Sequence, residues 1–478
     1  MADGGWRIPA GEHLLGSSCR FSPPVSSNVR ICHPPSAITV RTRMAVHGLM
    51  PLISRLATRA YYRFTVGGMR VPAEGPVLLV ANHNNSLMDP ALVTVAAQRE
   101  VRFLAKSTLF THKQIGWLVK LVGSIPVYRA QDDRRLLGQN KDIFVAVHQA
   151  LAEGAAVGIF PEGTSHSGSR LSPLKTGAAR IALGAARLIG GSFPIIPVGL
   201  VFRDRNSVRS EVRIVVGEPF DWSDLASRAE EKFAVRELTA RIDGAMRRVT
   251  LNLDSWEDAA LVHVAEQIWA AEHGSPRDSE ATVSRLALIA SVLQKFRSRG
   301  DAEWQATARE LRAQARMLQR MGLTPQALKE DVSWTAALRW IVMRFPLLAS
   351  IPLASLALLV YWPPLAGADW FSKHNREGPD SESTYRVLGV ALFCTIWTLL
   401  LAGAAAWAMG WVWGIVTFLL LPAAGAGAAM VAEQRRLRWM AVRRFFVRHL
   451  HRQRLGRMRA RQVAIAKHLN DLLEIGTQ

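Results

Sequence analysis

Three cysteines occur in 478 residues, and they do not form a set. Cys19 and Cys32 lie near the start and Cys394 lies inside an apolar run, which excludes a disulfide framework. No metal-ligand spacing occurs, so no metal is expected. Acids are scarce: 38 Asp and Glu stand against 59 Lys and Arg, a net charge of +21. That surplus calls for a polyanionic partner. The basic residues are not interleaved with a nucleic-acid reading motif, so nucleic acid is not expected. An anionic membrane surface fits better, because the charge abuts apolar spans. Residues 1–43 hold only Asp3 and Glu12 as acids and lack the apolar run of a signal peptide. A transit peptide, a disordered extension and a mis-assigned start ahead of Met44 all remain open for them.

Charge is missing altogether from residues 387–432. At ~1.5 Å per residue this stretch would reach about 69 Å, twice a bilayer core, so it predicts a membrane hairpin. Gly410, between Met409 and Trp411, is the expected turn. The membrane region is read as 341–432, and its first, proline-rich stretch 341–364 reads as re-entrant rather than spanning. Residues 433–478 carry twelve Lys or Arg against three acids, the mark of a cytoplasmic tail beside a span. At the other end, residues 44–65 are apolar with sparse Arg and too short to span comfortably. They read as an interfacial helix lying on the bilayer. Residues 226–335, dense in Arg, Glu and Ala, read as a helical accessory region.

Between these lies a region, 66–225, of short apolar runs separated by helical segments. Strands are expected at 76–81, 101–105, 124–128, 156–160, 193–202 and 211–216, which makes an α/β fold with a mixed sheet flanked by helices. The first run leads into Asn82-His83-Asn84-Asn85-Ser86-Leu87-Met88-Asp89-Pro90. Pro90 suits a first helical turn, and Asp89 suits the N-cap before it. A His and an Asp therefore flank one strand-to-helix junction. A neutral imidazole there can take a proton from an alcohol, and a carboxylate can orient it. Six positions on a regular helix turn through roughly 600°, so the two can meet only if His83 lies in the loop before the helix.

Three further motifs end strands in the same way: Gly123-Ser124-Ile125-Pro126-Val127-Tyr128-Arg129, Phe160-Pro161-Glu162-Gly163-Thr164-Ser165 and Ile195-Ile196-Pro197-Val198-Gly199. In this order the four motifs resemble the phospholipid/glycerol acyltransferase superfamily over about residues 60–270. Within it they are most similar to the fungal-type and bacterial glycerol-3-phosphate/dihydroxyacetone-phosphate acyltransferases. The superfamily pattern places four residues between its His and Asp; here there are five.

The resemblance implies transfer of an acyl group from a thioester to a hydroxyl, with His83 as base and Asp89 as its orienter. No cofactor is expected; acyl-CoA or an acyl-carrier-protein thioester is the co-substrate. The acceptor would be glycerol-3-phosphate, dihydroxyacetone phosphate or 1-acylglycerol-3-phosphate, on the way to phosphatidic acid. Membrane lipids are the remaining partner. By motif position Arg129, then Lys175 and Lys106, are the candidate phosphate ligands, and Arg suits a two-pronged grip. Glu162, with Gly163 and Thr164 beside it, would bind the glycerol hydroxyl, and amides near Gly163 would hold the developing oxyanion. The chain is expected to be an integral membrane protein with its catalytic region cytoplasmic. Two other classes compete: a degenerate membrane scaffold or lipid-binding protein, favoured by the extra motif residue, and a lipid hydrolase using Ser165 or Ser167 beside His166. The latter lacks a Gly-x-Ser-x-Gly elbow.

Overall fold

The computed structural model describes residues 50–112, 115–128, 140–228, 232–253, 255–274, 279–298, 302–329, 335, 339, 351–375, 378 and 380–477. The readings for residues 1–49 and 341–350 fall outside this set. A helix α1 (residues 50–61) leads into seven strands: β1 Tyr62–Gly68, β2 Val77–Ala81, β3 Val101–Lys106, β4 Ile125–Val127, β5 Ala156–Ile159, β6 Ile195–Phe202 and β7 Ser210–Val216. Helices α2 Met88–Ala97, α3 Gly116–Leu121, α4 Asn140–Ala152, α5 Gly177–Ile189 and α6 Ser223–Ala226 connect and follow them. α7 Lys232–Val249, α8 Trp256–His273, α9 Ser279–Ser298 and α10 Ala302–Met321 come next. The chain ends in α11 Ile351–Asn375, α12 Glu382–Met409, α13 Trp411–Leu450 and α14 Arg452–Thr477.

The strands form one mixed sheet in the order β1-β7-β6-β2-β5-β3-β4. Only β6 and β7 run antiparallel; every other neighbouring pair is parallel. Parallel strands need both faces covered, so central strands read as unbroken apolar runs. β2, β5 and β6 are buried throughout. Alternation along β2 assigns Leu78 and Val80 to one core, with Leu151 of α4, Ile181 of α5 and Leu238 of α7. Val77, Leu79 and Ala81 go to the other, with Leu92 and Val93 of α2.

Two boundaries differ from the sequence reading. Segment 44–65, expected as one interfacial helix, is not helical to its end: α1 stops at Tyr61, and Tyr62 opens β1, paired with β7 from Ser210 onward. Tyr62 is wholly buried and packs edge-on against Phe202 at 5.6 Å, so its ring belongs to the core. The α/β unit also runs past 225, because Ala234, Leu238, Ile242 and Met246 of α7 complete the first core.

α12 and α13 are long and apolar enough to cross a membrane, and Gly410 breaks them with φ +95°. A soluble core helix would be covered; here only 17% and 6% of the most apolar windows are buried. Trp407, Trp411 and Trp413 stand exposed around the turn, the setting of an interfacial aromatic belt. α11 keeps Pro363 and Pro364 within its helix and packs against both α12 and α13. The basic segment after the hairpin does not stand free. α14 buries Ile465, Leu469, Leu472 and Leu473 in a core shared with α8, α9 and α10.

The tightest approach in the sheet is at Gly199, where a Cβ would fall 1.8 Å from the Val249 carbonyl oxygen at the end of α7. Gly199→Ala must push helix and strand apart and should destabilise by about 1–3 kcal/mol. Thermal unfolding of the detergent-solubilised protein checks this: an unchanged Tm would contradict the close packing.

Candidate active site

β2 and β5 are parallel neighbours in register, Val80 beside Ile159. The loops that follow them leave the sheet side by side, at the carboxyl ends where open α/β sheets place their ligands. Asn82 fixes the exit of the first loop. Its side chain accepts from Leu200 N at 2.7 Å and donates to Leu200 O at 3.0 Å, extending the β2–β6 ladder by one step.

His83 follows in the loop, ahead of the helix, as the pairing requires. Its Nδ1 lies 2.9 Å from Asp89 Oδ2. Asp89 is not the N-cap, because α2 begins at Met88 and Asp89 is its second residue. The same Oδ2 accepts the Asn85 amide at 2.7 Å. Asp89 is fully buried, and its Oδ1 meets no partner among the described residues. Burial pushes its carboxyl above the ordinary carboxylate value, against the pull of His83 and of the loop amides. A proton on Nδ1 shared with Asp89 leaves the Nε2 lone pair free. The His83 ring stacks on Phe160 at 4.1 Å and 14°, and Phe160 stacks in turn near Phe103.

The carboxylate of Glu162, expected at a glycerol hydroxyl, is buried and bonded within the protein. Oε1 accepts the His83 amide at 2.7 Å. Oε2 accepts the Ser172 amide at 2.8 Å and meets His166 Nε2. The His166 amide returns a bond to His83 O at 3.1 Å. Glu162 thus ties two catalytic-end loops together. Gly163 has φ +78° and donates its amide to Phe160 O at 3.0 Å, so that amide is committed to the turn rather than to an oxyanion. A Cβ on Gly163 would meet the Lys175 side chain at 2.7 Å.

A cavity of about 1720 Å³ opens on His83. Of the expected site residues, Lys106, Gly163 and Lys175 line it; Glu162 and Thr164 do not. Arg129 lies outside the described residues, though the preceding Tyr128 is in the wall. The sequence reading missed the other cations of this wall: Arg180 and Arg187 of α5, and Lys232 and Arg236 of α7. Their spacing on two amphipathic helices gives no motif. Also missed was an apolar wall built from Met50, Ile53 and Ala57 of α1 with Val387, Leu388 and Ala391 of α12. Met50, Ile53 and Ala57 stand at i, i+3 and i+7, and Val387, Leu388 and Ala391 follow Thr384 at i+3, i+4 and i+7, so each set is one face of an α-helix. No metal-binding cluster of His, Cys, Asp and Glu occurs among the described residues.

Residues 63–201 match the family model described as Acyltransferase. A 1-acyl-sn-glycerol-3-phosphate acyltransferase of Chlamydomonas reinhardtii is 33% identical over 29% of this chain and 41% of its own length. Glycerol-3-phosphate O-acyltransferase 1 of Saccharomyces cerevisiae is 22% identical over 42% of this chain and 39% of its own. Among solved structures, the 1-acyl-sn-glycerophosphate acyltransferase of Thermotoga maritima aligns with a TM-score of 0.33 and 19% identity, over 44% of this chain and 81% of that one. The chain spans about two fifths of the length of the first curated relatives it matches. Taken with the four motifs, the family-model match makes residues 63–201 an acyltransferase-family segment, similar to enzymes named as glycerolipid acyltransferases.

The Glu162 hydrogen bond raises the His166 imidazole above its ordinary value. A group with a raised folded value contributes stability that is complete below its unfolded value, about 6.5, and is lost as pH climbs through the raised one. The Tm difference between wild type and His166→Gln should therefore be largest at mildly acid pH and shrink towards alkaline pH. A difference that grows with pH would contradict the brace.

Proposed function

We propose that this chain is a membrane-bound glycerolipid O-acyltransferase. It moves a fatty acyl group from an acyl thioester to a hydroxyl of glycerol-3-phosphate, dihydroxyacetone phosphate or 1-acylglycerol-3-phosphate, in phospholipid synthesis. The observation that carries this reading is the His83–Asp89 pair. Asp89 holds Nδ1, and the ring stands at a cavity with a cationic wall and an apolar wall. Nε2 takes the acceptor hydroxyl proton as the oxygen attacks the thioester carbonyl. The tetrahedral intermediate collapses, the C–S bond breaks, and the imidazolium returns the proton to the departing thiolate. Asp89 stabilises the imidazolium. The thiolate leaves readily, so no covalent enzyme intermediate is needed.

The acceptor phosphate is assigned to Arg129, Lys106 and Lys175. In the described cavity wall Glu100 is the lone acid against six Lys and Arg. Glu162 serves as a brace rather than as a hydroxyl ligand. The apolar wall suits an acyl chain, since one of its helices is long and apolar enough to cross the bilayer in which such chains reside. Both ends of the hairpin would then sit in the cytoplasm beside the catalytic unit, where acyl thioesters are made.

The competing classes fit less well. A degenerate scaffold has no need of a buried carboxylate aligned on His83. For hydrolysis, Ser165 lacks a free base: its Oγ accepts the Ser86 amide, and both His166 ring nitrogens are engaged, Nε2 by Glu162 and Nδ1 by the Gly168 amide.

Purified protein in anionic vesicles, given labelled acyl thioester and each acceptor in turn, should acylate at least one of them. His83→Ala should lower turnover about 10²–10⁴-fold with Tm preserved. Asp89→Asn should lose most activity by releasing the ring. Wild-type turnover in His83→Ala would refute the mechanism.

Leu388→Trp should shorten the apolar slot. Losing contact with about two methylenes costs about 1.6 kcal/mol, roughly 15-fold in kcat/KM for long acyl thioesters. Short-chain thioesters should be unaffected. An equal loss at every chain length would place the acyl chain elsewhere.

A further inference from the structure

The five residues between His83 and Asp89 leave one more in the loop than the family pattern has, and the structure shows what holds it. Ser86 adopts φ +40°, a left-handed conformation that turns the chain, and Met88 N bonds back to Asn85 O at 3.0 Å. Asn85 is thereby forced inward and is wholly buried. A buried amide is costly unless each of its polar ends is bonded. Its Nδ2 donates to Tyr62 OH at 2.6 Å, and Tyr62 OH donates on to Arg205 O. Its Oδ1 accepts from Ser383 Oγ. Ser383 is the second residue of α12, lies 298 positions away in the chain and is itself wholly buried.

We propose that Ser383, on the membrane helix, is a positioning residue for the His83–Asp89 pair, acting through Asn85. It rests on the acyltransferase reading for its kinetic consequence, but the clamp itself is a matter of geometry. The proton direction is unbroken: Ser383 hydroxyl to Asn85 carbonyl, Asn85 amide to Tyr62, Tyr62 hydroxyl to the Arg205 carbonyl. Asn85 then aims its backbone N–H at Asp89 Oδ2, the oxygen that faces His83 Nδ1. Asp89 Oδ1 accepts no hydrogen bond among the described residues. Oδ2 takes both His83 Nδ1 and the Asn85 amide, with the Asn84 amide adding its pull, so losing the Asn85 bond loosens the carboxylate. The helix end bearing Ser383 is also bolted to the α/β unit. Arg386 donates to Tyr61 OH at 3.1 Å and to Asn206 O at 2.8 Å, and also to Asp369 Oδ1 of α11 at 3.0 Å. Ser383 lies outside the matched family segment 63–201, so the membrane hairpin supplies a part of the active site that this segment lacks.

The test uses the full chain in vesicles. Ser383→Ala should lower kcat by on the order of 10- to 10²-fold, with KM for donor and acceptor within about twofold. Hydrogen exchange of the amides at 84–89 should speed up while the sheet stays protected, and Ser383→Thr should restore both readings. Wild-type kcat with unchanged loop exchange in Ser383→Ala overturns the proposal. A loss confined to KM, or faster exchange throughout the sheet, also overturns it, because a merely structural contact behaves that way. Should Ser383→Ala fail to fold, Ser383→Cys keeps the volume and weakens the donor: lowered kcat supports the clamp and unchanged kcat refutes it. Should the wild type acylate nothing, the proposed reaction falls, and the loop exchange of Ser383→Ala still decides the clamp by itself.

Discussion

The parallel pairing of β2 with β5 is the constraint on which the site depends. Two loops from distant parts of the chain are delivered to one edge of the sheet, and no helix or turn has to carry them there. The register is fixed because both strands are buried on both faces. A slip by one residue would turn Leu78 and Val80 out of one core and Val77 and Leu79 out of the other. With the register set, the His83 amide meets Glu162, the His166 amide meets the His83 carbonyl, and Phe160 lies flat against the imidazole.

Two buried carboxylates then divide the work. Asp89 and Glu162 are both enclosed by protein, and each holds a histidine. Burial of a carboxylate is expensive, and each is compensated by backbone amides as well as by imidazole. They differ in what they leave available. His83 keeps one ring nitrogen without a protein partner among the described residues and sits at the cavity. His166 uses both nitrogens inside the loop, to Glu162 and to Gly168. The first arrangement can move a proton, whereas the second holds the loops in place.

The helical parts of the chain are joined to this site rather than hung beside it. α7 closes one core, α14 closes the core of α8 to α10, and α12 contributes both Ser383 and a face of the cavity. A helix long and apolar enough to cross a membrane thus shares a wall with the cavity at His83. A fragment ending before α12 would leave the Asn85 carbonyl without its hydroxyl donor and open the cavity on that side.

Much of this was legible in the sequence because it depends on local pattern. Six of the seven strands are apolar runs bounded by turn residues, and they fall within a residue or two of their expected ends. The uncharged run 387–432 fixes a hairpin by length alone, and Gly410 is the one position beside tryptophan and methionine free to take φ +95°. The need for His83 to precede the helix follows from 3.6 residues per turn. Tertiary structure decided the rest. β1 reads like the end of an amphipathic helix, and only pairing with β7 makes it a strand. Glu162 carries the same motif whether it faces a ligand or the protein; the amides of His83 and Ser172 turn it inward. The extra motif residue has no meaning along the chain. It acquires one when folding sets Asn85 against Ser383, because a hydrogen bond across 298 positions leaves no periodicity or spacing to read.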